Sequence, residues 1–181
     1  MHYTLCDLIA DLTQNAHEAA SSRIRVEFTE SDENLTVYIR DNGKGMDEQL
    51  LKKASDPFYT DGIKHPNRKI GLGIPFLIQT TAQTGGKWKI DSTPEKGTVV
   101  YMSFDLNNID TPPIGDVCGL FRQLLLFPGN YELEIVRTKH TQDCSSVYTL
   151  LRSELSDALG KMETASDLVL LDEFLQSREN G

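Results

Sequence analysis

Three short patches combine residue types able to hold a phosphorylated ligand. The first is Asp11-Leu-Thr-Gln-Asn15-Ala-His-Glu18. On a helix this spacing places Asp11, Asn15 and Glu18 within roughly 60° of one another. An amide and two carboxylates of that kind suit Mg²⁺, which prefers oxygen ligands and shares its shell with waters and substrate phosphates. Asp11 could also orient or deprotonate a water. The second patch is Asp41-Asn-Gly43-Lys-Gly45-Met46. A carboxylate there accepts from an exocyclic amine such as that of adenine and repels the O6 of guanine. Gly43 and Gly45 let a flat ring approach the backbone, and Met46 offers soft packing. The third is Gly71-Leu72-Gly73, where bare backbone N–H groups at a helix start face an anion, with Lys64, Arg68 and Lys69 just upstream.

Taken singly, each patch has an ordinary structural explanation. The first is also an amphipathic helix with a solvated polar side, the second a β-turn, the third a flexible glycine loop. Neither a P-loop nor a Rossmann glycine turn is present. The order of the patches and the elements between them carry the site reading.

Those elements follow from periodicity. Leu5, Leu8, Ile9, Leu12, Ala16 and Ala19 recur at helical spacing, which predicts a helix over 4–21. Residues 23–28 and 35–39 alternate, predicting a hairpin over 23–40 that ends at Asp41. A short helix over 47–54 has Asp47 as its cap. The polar stretch 55–69 reads as a long mobile loop. A helix then runs from Gly71 to about Thr84 and stops at Gly85-Gly86. Residues 87–92 and 98–105 form a last hairpin. Beyond a Pro-rich linker over 107–115, the pattern predicts a helix at 116–126, strands at 131–138 and 144–150, and helices at 153–160 and 166–178 with Ser153 and Ser166 as caps.

Composition narrows the function classes. The 181 residues carry 39% hydrophobic and 25% charged side chains, as a globular protein does. A net charge of −9 disfavours nucleic acid as a partner. Cys6, Cys118 and Cys144 form no CxxC pair and supply no metal framework. The apolar runs are far shorter than the ~20 residues that span a bilayer, and no signal peptide is legible, so neither a membrane nor secretion is expected. A cytoplasmic protein is expected.

In sequence, the patches resemble the GHKL ATPases: gyrase B, heat-shock chaperones, histidine kinases and mismatch-repair ATPases. The resemblance spans about residues 5–105 and is nearest to the histidine-kinase ATP-binding domain. Asp11-Leu-x-x-Asn15-Ala-x-Glu18 resembles the N box, which implies Asn15 as Mg²⁺ ligand and Asp11 where hydrolytic members carry a general-base glutamate. Asp41-x-Gly43-x-Gly45-Met46 resembles the G1 box, implying Asp41 on the adenine amine. Asp56-Pro-Phe58-Tyr-Thr60 resembles the phenylalanine box before the ATP lid. Gly71-Leu72-Gly73 resembles the G2 box, and Gly97-Thr98 the last segment of the domain. The leading strand usual in the family is not expected before residue 5, nor is a phosphoacceptor helix.

The expected fold is therefore α/β (α+β): a Bergerat-type two-layer sandwich with helices on one face of a mixed sheet, over 1–106. Residues 107–115 are the linker, and 116–181 a small C-terminal α/β subdomain of no assigned task. The expected ligands are ATP and Mg²⁺. The expected function is ATP hydrolysis or phosphoryl transfer to a separate protein partner. The alternative is a nucleotide-gated protein-binding module without chemistry, which Asp in place of Glu at position 11 favours.

Overall fold

A computed structural model describes residues 4–55, 73–142, 144–160 and 162–180. Helix α1, Leu5–Glu18, opens with a capping box: the Thr4 hydroxyl accepts from Asp7 N–H while the Asp7 carboxylate accepts from Thr4 N–H. Its apolar stripe, Leu5, Leu8, Ile9, Leu12 and Ala16, is buried. It ends where Ala20 turns left-handed at φ 59°. Strands β1, Arg23–Glu30, and β2, Asn34–Asp41, form the expected hairpin with Val26 opposite Ile39. Helix α2 is Glu48–Ala54, capped by Asp47 as expected. Helix α3 is described from Gly73 to Thr84, and Gly85 ends it at φ 68°. Strands β3, Lys87–Thr93, and β4, Gly97–Asp105, make the next hairpin.

The last third of the chain adds helix α4, Val117–Leu125, strands β5, Glu132–His140, and β6, Ser145–Leu151, and helices α5, Arg152–Leu159, and α6, Ala165–Glu179. The six strands among the described residues belong to one sheet in the order β3-β4-β2-β1-β5-β6. β1 and β5 run parallel, with Ile24 opposite Leu133, and every other pair is antiparallel, so the sheet is mixed. The segment expected as a C-terminal subdomain therefore shares its sheet with residues 23–105. It shares the core as well. Phe28 of β1 meets Phe121 of α4 edge to face at 5.9 Å, and Ile9, Phe28, Phe121, Ile135 and Leu171 lie in one buried cluster.

One sheet face is apolar, through Ile24, Val26 and Phe28, Leu35, Val37 and Ile39, and Leu133 and Ile135. The helices cover that side, α1 on β1 and β2, α3 on β3 and β4, α4 on β5. The other face is polar, with Arg25 bridging Glu27 and Glu134 at 2.8 and 2.7 Å. Arg137 alternates inward with the apolar residues of β5 and is 1% exposed. A buried cation needs close partners. Glu30 and Glu179 supply them, Tyr148 donates to Glu179, and the Phe28 ring lies 4.9 Å beneath the guanidinium. Burial alone would raise the Glu179 carboxyl, yet the bonds from Arg137 and Tyr148 hold it below its ordinary value.

Two expected caps are corrected. β6 runs directly into α5, so Leu151 is the cap residue and offers no side-chain bond. Glu132 accepts from the Ser153 N–H instead. α6 is capped by Thr164, because Asp167 three residues later completes a capping box that Ser166 cannot form. The linker residues are tied to α1: Pro113 and Ile114 carbonyls accept from Leu5 and Cys6, two of the donors a helix start leaves open.

Removing residues 109–181 strips β1 of its parallel partner and uncovers the α1 and sheet surface beneath α4. A chain of residues 1–108 should show no cooperative melting transition by scanning calorimetry. A sharp transition at the full chain's Tm would contradict this.

Candidate functional site

The site is assembled where α1 ends, β2 ends and the β3–β4 turn closes. Asp41 is the last residue of β2 and pairs with Thr98 across the ladder. Its Oδ1 accepts from the Gly43 N–H at 2.7 Å, and the Ser21 Oγ lies 3.1 Å away. Burial pushes this carboxyl above its ordinary value, while the N–H groups of Gly43 and Thr98 and the Ser21 hydroxyl oppose the rise. Ser92 connects the next layer: it accepts from the Met46 N–H at 2.8 Å and lies 2.8 Å from the Thr98 hydroxyl. Met46 packs half-buried against the core.

The glycines of the Asp41–Met46 turn are required by the protein's own packing. A Cβ at Gly43 would meet Ser21 Oγ at 2.5 Å and Ala19 O at 2.7 Å. At Gly45, with φ 62°, it would lie 2.0 Å from Thr93 O. The Cβ side of Gly43 faces the end of α1 and that of Gly45 the β3–β4 turn. Lys44 donates to Ala19 O at 3.0 Å and accepts from Glu95 N–H at 2.8 Å, which stitches the same three segments together.

Asp11 and Asn15 sit together farther back on α1, against the start of α3. A Cβ on Gly73 would lie 3.2 Å from Leu12 Cδ2, 3.3 Å from the Asn15 amide nitrogen and 3.5 Å from Asp11 Cβ, so the start of α3 packs closely on this face of α1. Glu18, on the next turn of α1, is exposed and accepts from Gln14 at 2.8 Å. Phe58, Lys69, Gly71 and Leu72, like Lys64 and Arg68, lie outside the described residues. Thus Asp11, Asn15 and Gly73 form one cluster, and Asp41, Gly43, Gly45, Met46 and Thr98 the other. Ser21 and Ser92 were not legible as members. Nothing in their spacing points to Asp41, from which they stand 20 and 51 positions away.

His17 turns away from both clusters. Its ring stacks on Phe127 at 5.2 Å and meets Tyr131 edge-on at 4.8 Å. Among the described residues no group of three or more His, Cys, Asp or Glu could hold a metal. No described helix is long and apolar enough to cross a membrane.

Residues 3–108 match the family described as histidine kinase-, DNA gyrase B-, and HSP90-like ATPase. The chain belongs to that family. Signal transduction histidine-protein kinase AfsQ2 of Streptomyces coelicolor is 30% identical over 93 residues, covering 51% of this chain and 17% of that protein. Sporulation kinase A of Bacillus subtilis is 31% identical over 102 residues, covering 55% and 16%. The match thus spans about a sixth of each relative's length. The solved catalytic domain of the histidine kinase ThkA gives a TM-score of 0.42 at 24% identity, covering 59% of this chain and 66% of that one. The family assignment rests on the match over residues 3–108.

The glycine packing makes a sharp test. Gly97 has φ 99°, and a Cβ there would lie 1.9 Å from the Asp41 carbonyl. Gly97→Ala should cost on the order of 3 kcal/mol, lowering Tm by roughly 10 °C. Gly85→Ala, with left-handed φ but nothing within 4 Å, should cost about 1 kcal/mol. Equal melting temperatures for the two variants would refute this packing.

Proposed function

We propose that the chain binds ATP with Mg²⁺ and passes the γ-phosphoryl group to water or to a separate protein, in the cytoplasm. The observation that carries the reading is the half-buried Asp41 carboxylate, held by backbone and hydroxyl donors in a chain of an ATPase family. As an ionised acceptor it recognises the adenine amine. Thr98 supports it from the neighbouring strand, and Met46 would offer its thioether to the base.

The phosphates lie toward α3 in this reading. Asn15 and Gly73 converge there, and Gly71, Leu72 and Lys69 precede it in sequence. The donor set fits Mg²⁺: an amide oxygen beside a carboxylate, with too few acids among the described residues to hold the ion unaided. Asn15 would be its protein ligand, with Glu18 at the edge of the group. Bound Mg²⁺ would neutralise charge on the β- and γ-phosphate oxygens. Asp11 orients or deprotonates the attacking water, or holds it in line. Its side chain is one methylene shorter than the glutamate of hydrolytic members, and that favours a second reading, a nucleotide-gated docking module with no turnover. The relatives named above are kinases, which supports a protein partner as acceptor.

Calorimetry with ATP separates the roles. Asp41→Asn should weaken binding by roughly 10- to 100-fold, the worth of a hydrogen bond to a charged acceptor. Asn15→Ala should abolish the Mg²⁺-dependent part of the affinity and leave the metal-free part. Wild-type affinity in Asp41→Asn, or an unchanged Mg²⁺ titration in Asn15→Ala, would contradict the assignment. Phosphate release, alone or with a partner, distinguishes turnover from gating.

A further inference from the structure

Ser21 directly follows Ala20, the left-handed residue that ends α1, and is 5% exposed. Its Oγ stands between two acceptors, Ala16 O of the last helical turn at 2.6 Å and Asp41 Oδ1 at 3.1 Å. A serine has one hydroxyl proton and can satisfy only one of them fully. With Asp41 neutral, the nearer carbonyl takes it. With Asp41 ionised, the negative oxygen draws it, since bonds to a charged acceptor are about twice as strong. Oδ1 also accepts from the Gly43 N–H at 2.7 Å. The wall is tight: a Cβ on Gly43 would fall 2.5 Å from Ser21 Oγ.

We propose that Ser21 is a positioning residue for base selection. Its hydroxyl and the Gly43 N–H both address Oδ1 of Asp41 and so set the plane in which the carboxylate presents Oδ2 to a purine 6-amine. Ser21 is too buried to touch the base and acts only through Asp41. Because Oγ lies against the end of α1, 2.6 Å from Ala16 O, it places the amine acceptor relative to the helix that carries Asn15. The ligand class follows: 6-aminopurine nucleotides are selected over purines lacking the amine or bearing a 6-oxo group. The inference rests on the assignment of Asp41 to the adenine amine.

The test compares ATP with purine riboside 5′-triphosphate, which has the same ring and phosphates without the amine. Wild-type protein should bind ATP more tightly. Ser21→Ala should lose roughly tenfold in ATP affinity and stay within about twofold for the amine-free nucleotide. Ser21→Cys, which replaces the hydroxyl by a slightly larger thiol that donates only weakly, should show the same selective loss and serves if the alanine variant does not fold. Equal losses for both nucleotides would mean a structural role only and overturn the proposal, as would unchanged ATP affinity. If the wild-type protein itself does not prefer ATP over the amine-free analogue, the assignment of Asp41 fails first, and that outcome is distinct from failure of the Ser21 variants alone.

Discussion

The end of β2 is where three parts of the chain are locked together, and the lock is made of close backbone approach. The Asp41 carbonyl sits where a side chain on Gly97 would be, its carboxylate takes the Gly43 N–H, and Lys44 bonds the last residue of the α1 turn. Each contact needs a missing Cβ or a specific donor. A turn built this way has little freedom, so the carboxylate it presents is held before any ligand arrives. Such preorganisation lowers the entropy lost on binding. The rest of the fold serves to bring α1, the β2 end and the β3–β4 turn to that point.

The C-terminal third contributes to this at a distance. β5 lies parallel to β1, the strand that follows the α1 turn, and donates Leu133 and Ile135 to the sheet surface beneath α4, which in turn packs on α1. Arg137 brings a charge into that surface, and Glu30 and Glu179 neutralise it from β1 and from the last turn of α6. The two ends of the chain are thereby bound into one core. Because the packed helix α1 carries Asp11 and Asn15, residues far from the candidate site set the rigidity of the platform beneath it.

Much of this was legible in the sequence. Alternation placed β1 to β4 within a residue or two, and helical spacing placed α1, because one buried face imposes a clean period. Asp47 was legible as a cap because the side chain and its acceptor role are local. The caps of α5 and α6 were not, since a strand running into a helix and a capping box three residues long depend on where the helix starts. The pairing of β5 with β1 could not be read either: parallel partners over a hundred residues apart leave no mark in local spacing. For the site, Asp41 and its glycines were visible through turn chemistry. Their reason was not, because Gly43 and Gly45 answer to Ala19, Ser21 and Thr93, all distant in sequence. Ser21 and Ser92 are single hydroxyls whose role appears only when the elements meet.

The central claim is that this framework holds a pocket for one adenine nucleotide, and folded-state binding measures it most directly. A ligand that binds only the native protein stabilises it by RT ln(1 + [L]/Kd), about 2.7 kcal/mol at a hundredfold excess over Kd. Melting should therefore be followed with ATP, ADP and GTP at millimolar concentration, with and without Mg²⁺. The account predicts a clear rise in Tm with ATP and ADP, larger for ATP when Mg²⁺ is present, and little change with GTP. An unmoved Tm with every adenine nucleotide, or an equal rise with GTP, would contradict it.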